Sequence, residues 1–207
     1  MKVVLQIVRD AFRDVWGDLW TVLVCNLLWS LANVLILPGP PATLALVYYT
    51  NRLAHGEVAD LGDFWKAFRR YWAPAWRWGG VNLAMIAFLL GDIVLTNQSS
   101  QGLWSQYLQG LYMALLAGWL VLQFLALPFL YEQETMSVRQ ALRNGAALIG
   151  NNPGFTIALT GLLLLILIAG TVAFMLSFAF GAVIISCAGN RAVLNRLEIL
   201  KQSRESI

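Results

Sequence analysis

Three polar side chains recur at helical spacing inside the first strongly apolar stretch of the sequence, residues 19–37. Asn26, Ser30 and Asn33 occupy positions i, i+4 and i+7, so they would share one face of a helix. Amide and hydroxyl groups in lipid need partners, and most such stripes join helices through bonds of about 0.6 to 2 kcal/mol each. The stripe therefore predicts interhelical hydrogen bonds, and a path for a ligand or ion is the alternative hypothesis.

Polar residues at the end of the next apolar stretch could supply those partners. They are Tyr48, Tyr49, Thr50 and Asn51, and Arg52 follows directly. An unpaired amide in hydrocarbon costs several kcal/mol. We therefore expect Asn26 and Asn33 to face protein rather than lipid, with Tyr48 or Tyr49 nearby.

Aromatic and basic side chains are interleaved at helical spacing across residues 63–78, including Trp65, Arg69 and Trp72. This pattern is typical of a helix at the membrane interface, and Asp60 is a suitable residue to begin it. The favoured interpretation is an anchor whose rings sit at the acyl boundary. The alternative is a binding platform, with tryptophan stacked on a sugar ring or arginine bound to a lipid phosphate.

Four cationic side chains make it unfavourable for residues 63–78 to cross the membrane. Each would cost about 2.5 to 3.5 kcal/mol at the bilayer centre, whereas each gains about 1 kcal/mol near anionic headgroups. We expect the segment to lie in the membrane plane on the cytoplasmic face. Pro74 should then bend the chain into the following membrane helix at Gly79-Gly80.

Two isolated ionisable residues offer little further chemistry. Asp92 lies about one turn before Asn97, so a solvated helix end and a proton-coupling site are both open. His55 is the single histidine, and neither cysteine lies near it at the spacing of metal ligands. Phosphate-binding loops, paired membrane carboxylates and a Ser/His/Asp set are also missing from the sequence, so we expect no enzyme, no metal and no cofactor.

The composition is that of an integral membrane protein. The 207 residues are 59% hydrophobic and 12% charged, with a mean hydropathy of +0.66. Cys25 and Cys187 lie in apolar runs, where a thiol behaves as a small hydrophobic group. The net charge of +3 reflects basic residues placed before residue 19, between 52 and 77, at 139 and 143, and from 191 onward. Their grouping favours the cytoplasmic side of a membrane over nucleic acid as the reason for the charge.

If all four basic groups face the cytoplasm, each apolar run between them must enter and return. Residues 78–131 are long enough for two crossings, with an external loop at 97–102. Residues 155–188 are interpreted as two crossings with a turn at 169–171. The first run has a shorter return, residues 41–49, so its hairpin is expected to be short or partly re-entrant.

Each apolar pair follows an amphipathic segment, at residues 3–16, 60–76 and 135–149. This order predicts an all-α membrane protein of three units, each an interfacial helix plus a transmembrane hairpin, with up to six crossings. The units are residues 1–56, 57–131 and 132–190, and a cytoplasmic tail at 191–207 completes the single domain. Both termini are expected in the cytoplasm of a bacterial cell, with the protein in its inner membrane.

Three motifs in the first half carry a family resemblance: Asn26-Leu27-Leu28-Trp29, Gly39-Pro40-Pro41-Ala42-Thr43-Leu44-Ala45-Leu46-Val47-Tyr48-Tyr49 and Asp63-Phe64-Trp65-Lys66-Ala67-Phe68-Arg69. They resemble the YesL family of small bacterial integral membrane proteins, where a Gly-Pro-Ala-Thr step is typical. Here the step has one additional proline. Leu127-Pro128-Phe129-Leu130 and Val138-Arg139-Gln140-Ala141-Leu142-Arg143-Asn144 look like the later half of the family.

The resemblance implies a context rather than a chemistry, because the molecular function of the YesL family is unknown and its members are associated with oligosaccharide uptake. We expect a non-enzymatic accessory or scaffold protein whose partners are membrane lipids and a sugar permease or other membrane protein. A homo-oligomer is compatible with the sequence. The alternative is a small transporter or a lipid- or sugar-binding membrane protein. The candidate binding residues are Asn26, Ser30, Asn33, Tyr48, Tyr49, Asn51, Arg52, Trp65, Arg69, Trp72 and Asp92.

The predicted threading can be tested by labelling single cysteines in intact cells with an impermeant reagent. Ser100→Cys should react from outside, because it lies in the external loop, and Ser203→Cys should be protected in the cytoplasm. Protection of the first combined with labelling of the second would contradict the scheme.

Overall fold

A computed structural model of the protein describes residues 2–99, 102–172 and 174–205. Within these ranges the chain is entirely helical apart from short connections, as the all-α prediction requires. The helices are α1 (Lys2–Gly17), α2 (Leu19–Val34), α3 (Gly39–Ala54), α4 (Leu61–Arg70), α5 (Trp72–Ser99), α6 (Leu103–Phe129), α7 (Val138–Asn151), α8 (Pro153–Val172) and α9 (Phe174–Glu205).

Two amphipathic helices meet the apolar helices that follow them at nearly a right angle. The angle is 99° between α1 and α2 and 102° between α7 and α8. The bends have local causes: the Asp18 side chain accepts the Thr21 N–H at 3.2 Å to begin α2, and Pro153 begins α8 where a missing N–H is tolerated. A helix along the membrane surface followed by one entering the membrane fits this geometry.

In the described part of the chain, α5 and α6 are each long and apolar enough to cross a membrane on their own. Up to four spans result if each of the two bent pairs counts as one. The protein therefore has helices suited to a membrane, and the arrangement fits the prediction of up to six crossings. The external loop predicted at residues 97–102 is too long, because α5 continues to Ser99, and residues 100 and 101 lie outside the described residues.

The predicted interfacial helix over residues 63–78 is wrong at its carboxyl end. α4 stops at Arg70, Tyr71 breaks the helix, and Trp72 already begins α5. Proline 74 explains the break, because it has no N–H for the Arg70 carbonyl and its ring would clash with that group in a continuous helix. The break lies at Tyr71, three residues before Pro74, where the bend was predicted, and α5 begins at Trp72 rather than at Gly79-Gly80.

The first hairpin is short, as predicted, but its second arm is longer than the predicted residues 41–49. α2 and α3 have 16 residues each, which corresponds to about 24 Å against about 30 Å of hydrocarbon. α3 begins with prolines after Gly39 and runs to Ala54, through Asn51 and Arg52, whose side chains are both hydrogen-bonded. It is also the most enclosed helix, packing against α2, α4, α5, α6 and α9.

The last apolar run forms two helices, which confirms the predicted pair. The turn predicted at residues 169–171 is wrong, since α8 continues to Val172. α9 then runs through the predicted tail boundary to Glu205, because Ala192 and Val193 are fully buried and extend its packed face. The succession of one amphipathic helix and two apolar helices occurs three times, while its origin as an internal repeat stays a prediction.

Glycines on α7 allow the packing of α6 against α7 to be tested with a matched pair. A Cβ on Gly145 would lie 3.2 Å from the Ala126 backbone, whereas one on Gly150 would meet nothing within 4 Å. Gly145→Val should therefore lose roughly 1 to 3 kcal/mol more stability than Gly150→Val. Thermal unfolding in detergent would measure this, and equal losses would contradict the packing.

Candidate functional site

A buried set of hydrogen bonds, centred on Thr50 and Asn190, joins α3 to α9. The Thr50 hydroxyl lies 2.7 Å from the Ser186 hydroxyl. The Asn190 amide donates to Thr50 Oγ1 and to the Ser186 carbonyl, both at 3.0 Å. Thr50 and Asn190 are fully buried. These residues are 136 to 140 positions apart in sequence, so the bonds fix the first hairpin to the last helix.

The same network continues toward one end of the helix bundle through Asn51. Its amide donates to Asn190 Oδ1 at 3.1 Å and to Glu132 Oε1 at 2.7 Å. His55 lies beyond it, with Nδ1 2.9 Å from the Asn51 carbonyl oxygen and Nε2 3.6 Å from Glu132 Oε1. A carboxylate and an imidazole therefore terminate the buried amide chain.

An ion pair fixes α1 to α9 close to this network. Arg191 donates from Nε and Nη2 to the two carboxylate oxygens of Asp14, each at 2.7 Å. Both side chains are mostly enclosed, and the hydrogen bonds to Asp14 raise the pKa of Arg191. A two-point contact of this kind sets orientation as well as distance, so it fixes the rotation of α1 on α9.

A cavity of about 730 Å³ opens beside these groups, between α1, the end of α3 and α9. Its charged and titratable lining is mixed: Asp10, His55, Glu132, Arg191, Glu198 and Lys201. Asn195 also lines it, and its carboxamide oxygen is buried without a hydrogen-bond partner. The volume and the mixed donors and acceptors suit a small polar ligand.

The predicted polar stripe on α2 does not form one site. Asn26 is buried, and its side-chain oxygen accepts the Ala182 and Val183 N–H groups of α9 at 3.1 and 3.3 Å. Asn33 is exposed overall, but its side-chain oxygen lies against Gly39 at the start of α3, where a Cβ would meet it at 3.1 Å. α2 ends at Val34, and in this last turn the Asn33 amide donates to the Trp29 carbonyl of its own helix at 2.8 Å.

The remaining stripe position, Ser30, is half-buried on α2. The two tyrosines of α3 have separate surroundings. Tyr48 packs in a ring cluster with Tyr71 and Tyr131, at centroid distances of 6.0 and 5.5 Å. Tyr49 is fully buried, and its hydroxyl has no hydrogen-bond partner. Tyr49 was predicted as a candidate hydrogen-bond partner of the α2 asparagines, and its hydroxyl does not form such a bond.

The interfacial helix α4 starts with reciprocal Asp60 and Asp63 bonds to each other's N–H groups, at 2.8 and 3.2 Å. Trp65 stacks on Phe68 with centroids 5.1 Å apart, and Arg69 lies 5.2 Å from the Trp65 ring. These neighbours already contact the Trp65 ring, which favours the anchor interpretation over a sugar platform.

The last two predicted site residues lie apart from the network. Arg52 donates from Nε to Glu57 at 2.8 Å and also pairs with Asp63, so it joins the end of α3 to α4. Its hydrogen bond to Glu57 raises the pKa of Arg52. Asp92 is half-buried on α5, seven residues before the helix ends at Ser99. Of the eleven predicted residues, Asn51 is the one that the structure places in the central network.

Several polar side chains of the α5–α6 hairpin form hydrogen bonds between its two helices. Trp78 donates to Gln123, and Trp119 donates to Asn82, each at 2.7 Å. Near the loop, Ser105 donates to the Thr96 carbonyl at 2.8 Å. These bonds tie the two spans to each other and leave their outer faces apolar.

Sequence reasoning missed most of the residues that hold the bundle together. They are Asp14, Glu132, Ser186, Asn190 and Arg191. Ser186 and Asn190 are four residues apart in an apolar run, which is the spacing that drew attention to Asn26 and Ser30. The signal was present there, whereas nothing local identifies the partners of Asp14 and Glu132. Among the described residues, no three His, Cys, Asp or Glu side chains group as metal ligands.

Comparison with known proteins matches residues 22–93 to a family described as "Protein of unknown function, DUF624". The matched part contains α3 and α4, with most of α2 and α5, and includes the three motifs on which the YesL resemblance rests. The YesL family carries this domain, so the resemblance is consistent with the match. The resemblance across residues 127–144 lies beyond the matched part and stays a prediction. No curated protein and no solved structure matches the chain.

Two asparagines offer a test of which polar residues join helices. Asn190→Leu removes an amide that bonds α3, so we expect a loss of about 1 to 3 kcal/mol in stability. Asn33→Leu should change it little, because that exposed amide bonds its own helix. Chemical unfolding in detergent gives both values. Equal effects would mean that the network does not hold α3 to α9.

Proposed function

We propose that the protein is a non-enzymatic accessory or scaffold component of the bacterial inner membrane. It supports oligosaccharide uptake by packing against a sugar permease or another membrane protein. Both termini and the amphipathic helices face the cytoplasm. The bundle formed by α1, α2, α3 and α9 is the rigid body, and the α5–α6 hairpin is the surface that meets the partner.

The observation that carries this proposal is how little of the hairpin the protein itself covers. Within the most apolar window of each helix, 11% of α5 and 17% of α6 is buried. Hydrogen bonds inside the hairpin join its two helices, and the contacts of α6 with the rest of the bundle involve buried residues that lie mostly near its carboxyl end. The remaining exposed apolar surface of α5 and α6 is available for contact with helices of another protein.

Small residues on the outer face of α6 are suited to such a contact. Gly110, Ala114 and Gly118 recur every four residues and are all exposed. A Cβ on either glycine would meet nothing within 4 Å, so the chain itself makes no use of these gaps. Membrane helices approach each other closely at small residues with this spacing. A permease helix or a second copy of this chain would fit the same face.

The carbohydrate context has a different support, namely the YesL resemblance together with the matching domain over residues 22–93. That domain has no known molecular function, so the link to oligosaccharide uptake is part of the proposal. The absence of catalytic motifs in the sequence supports a non-enzymatic role.

A ligand-handling membrane protein is the second candidate function, and the 730 Å³ cavity favours it. The cavity adjoins the buried network at His55 and Glu132. A second cavity of about 360 Å³, mainly apolar, shares Ser186 with the other end of that network. The two cavities and the network together would suit an amphipathic ligand. This candidate replaces the predicted stripe with the network as the binding element.

Isoleucine at two glycines of α6 would test the scaffold proposal. Gly110→Ile combined with Gly118→Ile should reduce co-purification of a membrane partner in mild detergent by about tenfold or more, because close helix approach becomes impossible. Gly154→Ile on α8 is the matched control, since its Cβ also meets nothing within 4 Å.

Quantitative mass spectrometry of the purified protein gives the readout, and oligosaccharide import by cells carrying each variant gives its consequence. Undiminished partner recovery and import with the double variant would contradict the scaffold proposal. A small polar molecule recovered with the protein in place of a partner would favour the second candidate.

A further inference from the structure

We propose that a cavity between α5 and α7 binds the phosphate group of an anionic phospholipid. The cavity has a volume of about 490 Å³. Two arginines line it, Arg77 from α5 and Arg139 from α7, and no acidic residue does. The rest of the lining is mainly apolar and includes Pro74, Val81 and Leu142. A cationic rim over an apolar floor matches the two parts of a phospholipid.

The two arginines differ from those that hold the bundle together. Arg52 and Arg191 form ion pairs with carboxylates of the chain. In the described part of the chain, neither Arg77 nor Arg139 has a carboxylate within ion-pair distance, and both are exposed. Guanidinium groups bind phosphate through paired N–H donors, so one phosphate could receive bonds from both side chains.

The depth of the cavity selects lipid as the source of the phosphate. Arg77 lies five residues after the start of α5, a helix long enough to span the membrane, so its charge lies near the headgroup level. Val81, one turn deeper, is 47% exposed and continues the floor toward the hydrocarbon. A soluble phosphate would leave this apolar floor uncovered, whereas an acyl chain would cover it.

The amino end of α7 adds to the positive potential of the cavity. Ser137 lines the cavity and caps this 14-residue helix by accepting the Gln140 N–H. The first N–H groups of a helix have no partners inside it, and this end carries a partial positive charge. It supports the arginines, which remain the groups that identify the ligand.

Native mass spectrometry of the full-length protein, released from nanodiscs of equal phosphatidylglycerol and phosphatidylcholine, would test the site. The wild-type protein should retain phosphatidylglycerol preferentially. Arg77→Gln and Arg139→Gln should each lower retention about fivefold, the scale expected for one basic residue at an anionic surface. Arg143→Gln is the control, because Arg143 lies on the same helix but does not line the cavity.

Filling the floor gives an independent measurement. Val81→Trp keeps both arginines and should also lower phosphatidylglycerol retention, with thermal unfolding confirming that the variant is folded. An equal loss with Arg143→Gln would show a general surface-charge effect and overturn the proposal. Equal retention of both lipids would overturn it as well. Millimolar inorganic phosphate could instead displace the lipid, while Val81→Trp leaves phosphatidylglycerol retention unchanged. That combination would assign the site to soluble phosphate.

Discussion

The hydrogen bonds between α3 and α9 are the constraint on which the rest of the structure depends. Asn190 and Thr50 are fully buried in a protein whose helices are suited to lipid. Because neither side chain is exposed, separating the helices would break several buried hydrogen bonds at once. The network therefore fixes the register of α3 on α9, and the apolar contacts around it fill in the remaining space.

The pairing of α3 with α9 brings the first and the last parts of the chain together. α9 packs against α1, α2, α3, α6 and α8, and α6 packs against α7 and α9 as well as against α5, through buried residues such as Leu125 and Phe129. The Trp78–Gln123 and Trp119–Asn82 bonds add a direct polar link between α5 and α6. One part of the molecule is thus held together by buried polar groups, and another is free to present apolar and small residues to neighbours in the membrane.

The sequence predicted what depends on local pattern and hydropathy. The amphipathic helices, the α5–α6 pair and the prolines that begin α3 follow from periodicity and from the chemistry of helix ends. Partner choice does not follow, as Asn26 and Asn33 show. They share one helical face, yet Asn26 accepts N–H groups from within α9, 156 residues away, whereas the Asn33 amide donates to the Trp29 carbonyl of its own helix. Which residues of α2 are covered by other helices depends on the tertiary fold.

Arginine placement shows how the same residue type serves two purposes in this chain. Arg191 and Arg52 lie where carboxylates of other segments reach them, so their charges are neutralised within the fold and stabilise it. Arg77 and Arg139 lie at the edge of the spanning hairpin, where the described chain provides no acid. Positive charge near an apolar span is cheapest beside lipid phosphates. Under the two proposals made above, a protein contact along α6 and a lipid contact at Arg77 and Arg139 would together fix the position of the hairpin in the membrane.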